Sequence, residues 1–256
     1  MQAAGMIVAT NYGTVRELRM NRPPVNALNL ELVVALRQAV ETAPQSGVRA
    51  LVVSGAPGRF SAGLDVPLLL GLDRGAIALL WREFYALLKA LARSPIPIAA
   101  AITGHAPAGG TVLPLFCDWR VGAQGDFKLG LSEVQVGIIL PPIILAALRR
   151  QVGARQAERL AVTGALISPQ EALNVGLVDE LVPVEQVVSR SLEWCQGLLA
   201  LPAEGMAVTR WNARADLAGL FDNFEAELEA VTEDWWRPQT QLALRAMVER
   251  LGKKSG

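Results

Sequence analysis

The sequence is poor in cysteine and histidine and has no excess of either charge. Two of its 256 residues are cysteines, Cys117 and Cys195, and both lie in apolar surroundings without a C-x-x-C spacing. We interpret them as buried free thiols of a reducing compartment, which argues against a disulfide framework or a cysteine metal site. The 24 basic and 24 acidic residues cancel, so no charge surplus indicates nucleic acid or an anionic membrane as a partner.

Long apolar runs are absent as well. The run 138–148 is among the longest, and Pro141-Pro142 interrupts it before it is long enough to span a bilayer. The first residues lack the basic region of a signal peptide and the Arg/Ser-rich composition of an organelle transit peptide. No HExxH, GxGxxG or Walker pattern occurs, so metal, dinucleotide and nucleoside triphosphate chemistry have no support. We therefore expect a soluble cytoplasmic protein that uses no metal and no cofactor.

The apolar residues that are present follow an alternating strand and helix pattern. Because 52% of the chain is hydrophobic, it can form one large domain or a domain with an appendage. Two strand-like runs flank a hairpin turn at 11–13, Asn29 is a suitable N-cap for a helix over 30–42, and strand-loop-helix units follow. From Val184 onward only helical patterns occur. We predict a layered α/β core over residues 1–195 and a helical part over 196–256, packed on its own core or on a neighbouring subunit.

Two loops of small residues stand out within this pattern. They are Phe60-Ser61-Ala62-Gly63-Leu64-Asp65 and Ala106-Pro107-Ala108-Gly109-Gly110. Each comes after a strand-like run and opens a helix-like run, and we predict a loop over 104–108. Backbone N–H groups at the start of a helix have no partner within that helix. Two such loops that converge on one point would form a hole for a developing oxyanion.

Few candidate acids and bases accompany the loops. Glu133 lies in the almost uncharged stretch 130–138, where burial would raise its pKa and make it a base near neutral pH. The alternative is an ordinary helix N-terminal charge after Ser132. Asp65 either caps the following helix or shapes the loop. His105 is the only histidine, and we interpret it as structural because no Ser/Asp partner pattern accompanies it.

Further motifs join the two loops in a fixed order. They are Asn21-Arg22-Pro23-Pro24-Val25-Asn26-Ala27-Leu28, the 60–65 loop, Ile102 to Gly110, Cys117-Asp118-Trp119-Arg120, Leu131 to Gly137, Ala157-Glu158-Arg159 and Glu171 to Asp179. With them the chain resembles the crotonase (enoyl-CoA hydratase/isomerase) superfamily over nearly its whole length. The resemblance implies an α/β, crotonase-like spiral of ββα units that binds a coenzyme A thioester, in which coenzyme A is part of the substrate. It also implies a homotrimer or a dimer of trimers, with the helical C-terminal part at the subunit contact.

The resemblance also implies roles for individual residues. The thioester oxygen would be held by the N–H groups of Ala62 and Gly109, and Glu133 would be the catalytic base and acid. The residues implied to bind substrate are Ser61, Gly63, Leu64, Asp65, Val66 and Gly110. Arg22 is either a contact of the coenzyme A phosphates or a solvated surface arginine.

Val112 departs from the pattern of the hydratases in this superfamily. Those enzymes carry a glutamate at the position of Glu133 and a second one three residues after the oxyanion glycine, where this chain has Val112. Valine can neither take a proton from water nor hold water by hydrogen bonds. One carboxylate is enough to move a proton from C2 to C4 of a 3-enoyl-CoA in a dry pocket, which yields the 2-enoyl-CoA.

We therefore predict a Δ3,Δ2-enoyl-CoA isomerase, similar to the mitochondrial type and serving fatty-acid β-oxidation. Two alternatives stay open at this point. One is an enoyl-CoA hydratase or another crotonase-type acyl-CoA enzyme, and the other is a non-catalytic acyl-CoA-binding protein.

Overall fold

The computed structural model describes residues 5–222 and 224–254. The strands are β1 (Ile7–Tyr12), β2 (Val15–Met20), β3 (Ala50–Ser54), β4 (Gly58–Arg59), β5 (Ile98–Ile102), β6 (Gly104–Pro107), β7 (Trp119–Ala123), β8 (Leu129–Gly130) and β9 (Glu180–Val182). The helices are α1 (Leu30–Thr42), α2 (Val66–Leu69), α3 (Arg74–Ala92), α4 (Gly109–Leu115), α5 (Pro142–Val152), α6 (Ala154–Thr163), α7 (Pro169–Asn174), α8 (Val187–Leu199), α9 (Ala203–Ala213), α10 (Ala215–Gly219), α11 (Glu225–Trp235) and α12 (Pro238–Lys254).

The strands form a large sheet and a small sheet. The described residues of the large sheet pair in the order β1-β2-β3-β5-β7-β9, with β1 antiparallel to β2 and the other neighbours parallel. The small sheet pairs β4-β6-β8, all parallel. Each of the pairs β3–β4, β5–β6 and β7–β8 places one strand in each sheet before the chain turns into a helix. This repetition is the ββα spiral that the resemblance implies.

Both faces of the large sheet are covered by helices. In β3, Leu51 and Val53 pack into the main core with α1 and α3, whereas Ala50 and Val52 pack into a second cluster with α8. Side chains of a strand alternate between faces, so a strand covered on both sides is apolar throughout. This explains why β3 appears in the sequence as a continuous apolar run.

The C-terminal helices pack on the core of their own chain. Helix α8 lies on the large sheet, where Cys195 joins the second cluster, so the predicted division between residues 195 and 196 falls inside a helix and is wrong. Further along, α11 packs on α3, and α12 contacts the turn after Glu133, where Thr240 donates a hydrogen bond of 2.8 Å to the Gly137 carbonyl. Of the two packing alternatives for the tail, own-core packing is confirmed for these helices.

Local predictions agree with the structure where the signal is short-range. The Asn29 side chain accepts a hydrogen bond of 3.0 Å from the Leu32 amide and caps α1 as expected. Both cysteines are buried and free. In contrast, β6 is a strand where the sequence predicts a loop over 104–108, and β4 was not predicted at all. Among the described residues, no helix combines the length and apolar character needed to cross a membrane.

Candidate active site

The small sheet brings three chain segments together at one edge. Its three strands run parallel, so their carboxyl ends meet at the same side. The loop 60–65 follows β4, Ala108 and Gly109 follow β6, and the segment to Glu133 follows β8. The Ala108 amide donates a hydrogen bond of 2.8 Å to the Gly130 carbonyl, which holds the second and third segments side by side.

The backbone amides of the first loop are nearly all engaged. Those of Phe60 and Ser61 donate to the His105 carbonyl at 3.0 and 3.3 Å, that of Gly63 to the Ser61 hydroxyl at 3.2 Å, and that of Asp65 to the Leu28 carbonyl at 3.0 Å. Among the described residues, no backbone carbonyl accepts a hydrogen bond from the Leu64 amide.

Ala62 is therefore not the oxyanion donor that the resemblance implies. Its amide donates a hydrogen bond of 2.9 Å to the Val25 carbonyl. Leu64 pairs with Leu28 in a parallel bridge, so the groups flanking Leu64 face Leu28 and the Leu64 N–H points to the opposite side. The free amide of this loop is that of Leu64, two residues beyond the predicted one.

Gly109 occupies the matching place in the second loop. It is the first residue of α4, so its N–H has no partner within the helix. A methyl group built on Gly109 would lie 3.6 Å from the Leu64 nitrogen, and one built on Gly63 would lie 3.0 Å from the Gly109 nitrogen. A methyl group on Gly110 would lie 2.4 Å from the Ser61 carbonyl oxygen. The predicted convergence of the two loops is confirmed, and it depends on the absence of side chains at these glycines.

Glu133 begins the short 3-10 turn Glu133–Val136, and the residue as a whole is half-buried. Its Oε2 atom is inaccessible to water and has no hydrogen-bond partner among the described residues. Burial raises the pKa of Glu133 to about 7, as the uncharged stretch around it predicts. The alternative also has support, because Glu133 is the acidic first residue of the 3-10 turn that follows Ser132; the role of Glu133 as the base stays a prediction. A carboxyl that titrates near neutral pH exchanges protons readily in both directions.

The remaining polar candidates hold the loops in place. Asp65 accepts a hydrogen bond of 3.2 Å from the Leu68 amide, so it caps α2, and its other oxygen pairs with Arg22 at 2.5 Å. His105 accepts a hydrogen bond of 3.2 Å from the Lys128 amide, which confirms its structural interpretation. Ser61 is buried, and its hydroxyl donates to the Asn26 carbonyl at 2.8 Å and accepts from the Gly63 amide at 3.2 Å. Substrate contacts by Ser61, Gly63, Leu64, Asp65, Val66 and Gly110 stay predictions.

Sequence comparison agrees with this geometry. The family model described as Enoyl-CoA hydratase/isomerase matches residues 10–251. The chain belongs to the enoyl-CoA hydratase/isomerase family. The human mitochondrial enoyl-CoA delta isomerase 1 is 34% identical over 248 residues, which cover 94% of this chain and 82% of that protein. A probable enoyl-CoA hydratase of Mycobacterium avium is 32% identical over 214 residues, which cover 82% and 80% of the two chains.

Structural comparison places the fold in the same family. The crystal structure of human mitochondrial delta3-delta2-enoyl-CoA isomerase superposes with a TM-score of 0.93 at 32% identity, covering 98% of this chain and all of that one. The resemblance to the crotonase superfamily, and to its mitochondrial isomerase branch, is confirmed. This protein is accordingly an enzyme of the enoyl-CoA hydratase/isomerase family.

Both activities in the family name occur in the names of its relatives, and Val112 bears on the choice between them. Val112 is 1% exposed and lies on α4, one turn after Gly109. The α4 sequence, GGTVLPL, contains no ionisable side chain. Glu133 therefore has no carboxylate counterpart on this helix.

Proposed function

We propose that this enzyme converts 3-enoyl-CoA thioesters into 2-enoyl-CoA thioesters. Two observations carry the proposal. Glu133, whose Oε2 has no hydrogen-bond partner among the described residues, lies on the segment that follows β8, at the same edge of the small sheet as the loops that carry the Leu64 and Gly109 amides. Val112 stands where the resemblance to the hydratases places a second glutamate. The human relatives named as enoyl-CoA isomerases support the same reaction.

The chemistry uses one base and two backbone donors. The Glu133 carboxylate takes a proton from C2 of the substrate, and the electron pair left behind joins the adjacent double bond to form a dienolate. Its negative charge rests on the thioester oxygen, which accepts hydrogen bonds from the N–H groups of Leu64 and Gly109. Glu133 then returns the same proton to C4, the double bond forms between C2 and C3, and the carboxylate is regenerated. One such backbone donor contributes about 3–4 kcal/mol to transition-state stabilisation.

The raised pKa of Glu133 predicts a pH–rate profile. The reaction begins with the ionised carboxylate, and burial raises its pKa to about 7. We expect kcat/KM to be constant above that value and to fall about tenfold for each pH unit below it. A profile that is flat down to about pH 4 would contradict the assignment of Glu133 as the base.

Assembly and location belong to the same proposal. We retain the homotrimer, or dimer of trimers, that the resemblance implies, and light scattering after gel filtration gives the mass that tests it. Coenzyme A enters as part of the substrate and no further cofactor is needed for a proton shift. Cytoplasmic location and service in fatty-acid β-oxidation stay predictions.

Purified protein incubated with 3-hexenoyl-CoA and with 2-hexenoyl-CoA separates the candidate functions. Isomerisation of the 3-enoyl ester supports the proposal. Addition of water to the 2-enoyl ester would identify a hydratase instead, and binding of both esters without turnover would identify a non-catalytic acyl-CoA-binding protein.

A further inference from the structure

The segment Arg22 to Leu28, which lies far from the 60–65 loop in sequence, is bonded to that loop along its whole length. Asn26 is 3% exposed and has a left-handed backbone conformation with φ of 50°. Its Nδ2 donates to the Phe60 carbonyl at 3.1 Å, and its Oδ1 accepts from the Arg22 amide at 2.9 Å. Its carbonyl accepts from the Ser61 hydroxyl at 2.8 Å. Asn26 thus fixes the beginning of the loop from a buried position.

Arg22 fixes the other end of the loop. Its guanidinium pairs with Asp65 Oδ2 at 2.5 Å and donates to the Ala27 carbonyl at 3.0 Å. Both partners of this ion pair are mostly buried, with 22% and 14% of their side chains exposed. Because Asp65 also caps α2 through the Leu68 amide, the ion pair joins three elements: the 22–28 segment, the loop and α2.

These contacts determine the direction of one particular N–H group. The Gly63 carbonyl accepts a hydrogen bond of 2.7 Å from the Leu28 amide. The Gly63 carbonyl and the Leu64 N–H belong to the same peptide unit, which is planar and trans, so the two groups point in opposite directions. The Leu28 hydrogen bond therefore aims the Leu64 N–H away from the 22–28 segment, toward the side where Gly109 lies.

We propose that the 22–28 segment is the positioning element of the oxyanion hole, with Arg22, Asn26 and Asp65 as positioning residues that act through Leu64. The proposal rests on the function proposed above. Arg22 is then neither a contact of the coenzyme A phosphates nor an ordinary surface arginine, because its charge is used to hold the loop. A hole made of main-chain amides has no side chain to adjust, so the alignment of its donors must come from such neighbouring contacts.

The test uses variants that release the loop while preserving its backbone. Asn26→Gly keeps the left-handed conformation accessible but removes both side-chain bonds. Arg22→Met and Asp65→Asn each break the ion pair, and the asparagine keeps an oxygen for the α2 cap. We expect kcat for 3-hexenoyl-CoA to fall about 10- to 100-fold with little change in KM, since a displaced donor affects the transition state most.

A matched control is available on another pair of helices. Arg37 on α1 pairs with Glu83 on α3 at 2.8 Å, and both side chains are 20% exposed. Arg37→Met therefore breaks an ion pair of similar burial and should leave kcat unchanged. The double variant Arg22→Met/Asp65→Asn should lose no more activity than either single variant, because both remove the same contact.

A spectroscopic measurement separates positioning from folding. Cinnamoyl-CoA is already conjugated and has no hydrogen on C4, so it binds without isomerising. Carbon-13 difference infrared spectra of its thioester carbonyl report the hydrogen bonds at the oxygen for bound molecules alone, whatever fraction of the protein is folded. We expect a downward shift of this band on wild-type enzyme and on Arg37→Met, and a smaller shift on the three loop variants.

Wild-type-sized band shifts and wild-type kcat in the loop variants would overturn the positioning proposal and leave the proposed isomerase function standing. A wild-type enzyme that neither shifts the band nor isomerises 3-hexenoyl-CoA would overturn both.

Discussion

Replacing Glu133 by glutamine separates the chemical role of this side chain from its cost to the fold. The substitution keeps the shape and removes the charge. Burial raises the pKa of Glu133 from 4.5 to about 7, and each pH unit of displacement corresponds to about 1.4 kcal/mol, so ionised Glu133 costs the folded state roughly 3 kcal/mol. Glu133 as a whole is half-buried although its Oε2 is inaccessible to water, so solvent screening keeps the cost at or below this value.

The sign of the effect follows from proton linkage. The folded-state pKa lies above the unfolded value, so the contribution of Glu133 to stability is fully present below pH 4.5 and is lost as the pH rises through about 7. Glu133→Gln should therefore match the wild-type free energy of unfolding near pH 4 and exceed it by up to about 3 kcal/mol near pH 8. Turnover of 3-hexenoyl-CoA should disappear in the variant while acyl-CoA affinity stays nearly intact.

Urea unfolding of both proteins across this pH range measures the difference in the free energy of unfolding. If this free energy depends equally on urea concentration in both proteins, they expose the same surface area when they unfold. Glu229→Gln on the exposed side of α11 is the matched control, and we expect no pH-dependent difference from it. A free-energy gap between Glu133→Gln and wild type that stays the same at every pH would refute the reasoning, as would surviving isomerase activity.

Three further predictions concern the hole, the missing carboxylate and the tail. Gly109→Ala places a methyl group 3.0 Å from Leu28 Cδ1 and 3.3 Å from Gly63 Cα, so the two loops must move apart. Steady-state kinetics should show a loss of kcat of about 100-fold, and wild-type activity would argue against this hole. Val112→Glu should yield some 3-hydroxyhexanoyl-CoA from 2-hexenoyl-CoA, which chromatography detects. The variant should also be less stable than wild type, because the position is buried. A folded variant that forms no such product would contradict the idea that Val112 prevents the addition of water. Arg210 donates hydrogen bonds to both Asp118 oxygens at 2.8 Å, and both side chains are 9% exposed. Asp118→Ala leaves Arg210 buried without its ionic partner, so urea titrations should show a free energy of unfolding lower by about 3–5 kcal/mol. A loss below about 1 kcal/mol would show that the pair contributes little.

Part of the site could be read from local sequence because its causes are local. The Asn29 cap acts within one helical turn. The absence of charge around Glu133 predicts burial, and the structure raises its pKa accordingly. The order of the motifs was specific enough to indicate the family, which the comparison with known proteins confirms.

The short strands and the tail division were missed because their signals are not local. β4 has two residues and β6 has four, so they are too short to show a periodic pattern. They become strands through pairing with one another. Likewise α8 continues through residue 195 because its apolar face covers the large sheet, and a change in composition along the chain does not reveal that contact.

What the sequence by itself determined is the chemistry available: a lone carboxyl in apolar surroundings, two glycine-containing loops that open helices, and valine where hydratases carry a second acid. What only the tertiary structure decided is the direction of the groups. The resemblance implied Ala62 as a donor, but the Ala62 amide donates to the Val25 carbonyl. The hydrogen bond from the Leu28 amide to the Gly63 carbonyl directs the Leu64 N–H to the opposite side. An amide has no side-chain signature, and its orientation is set by whichever distant carbonyl it meets in the folded chain.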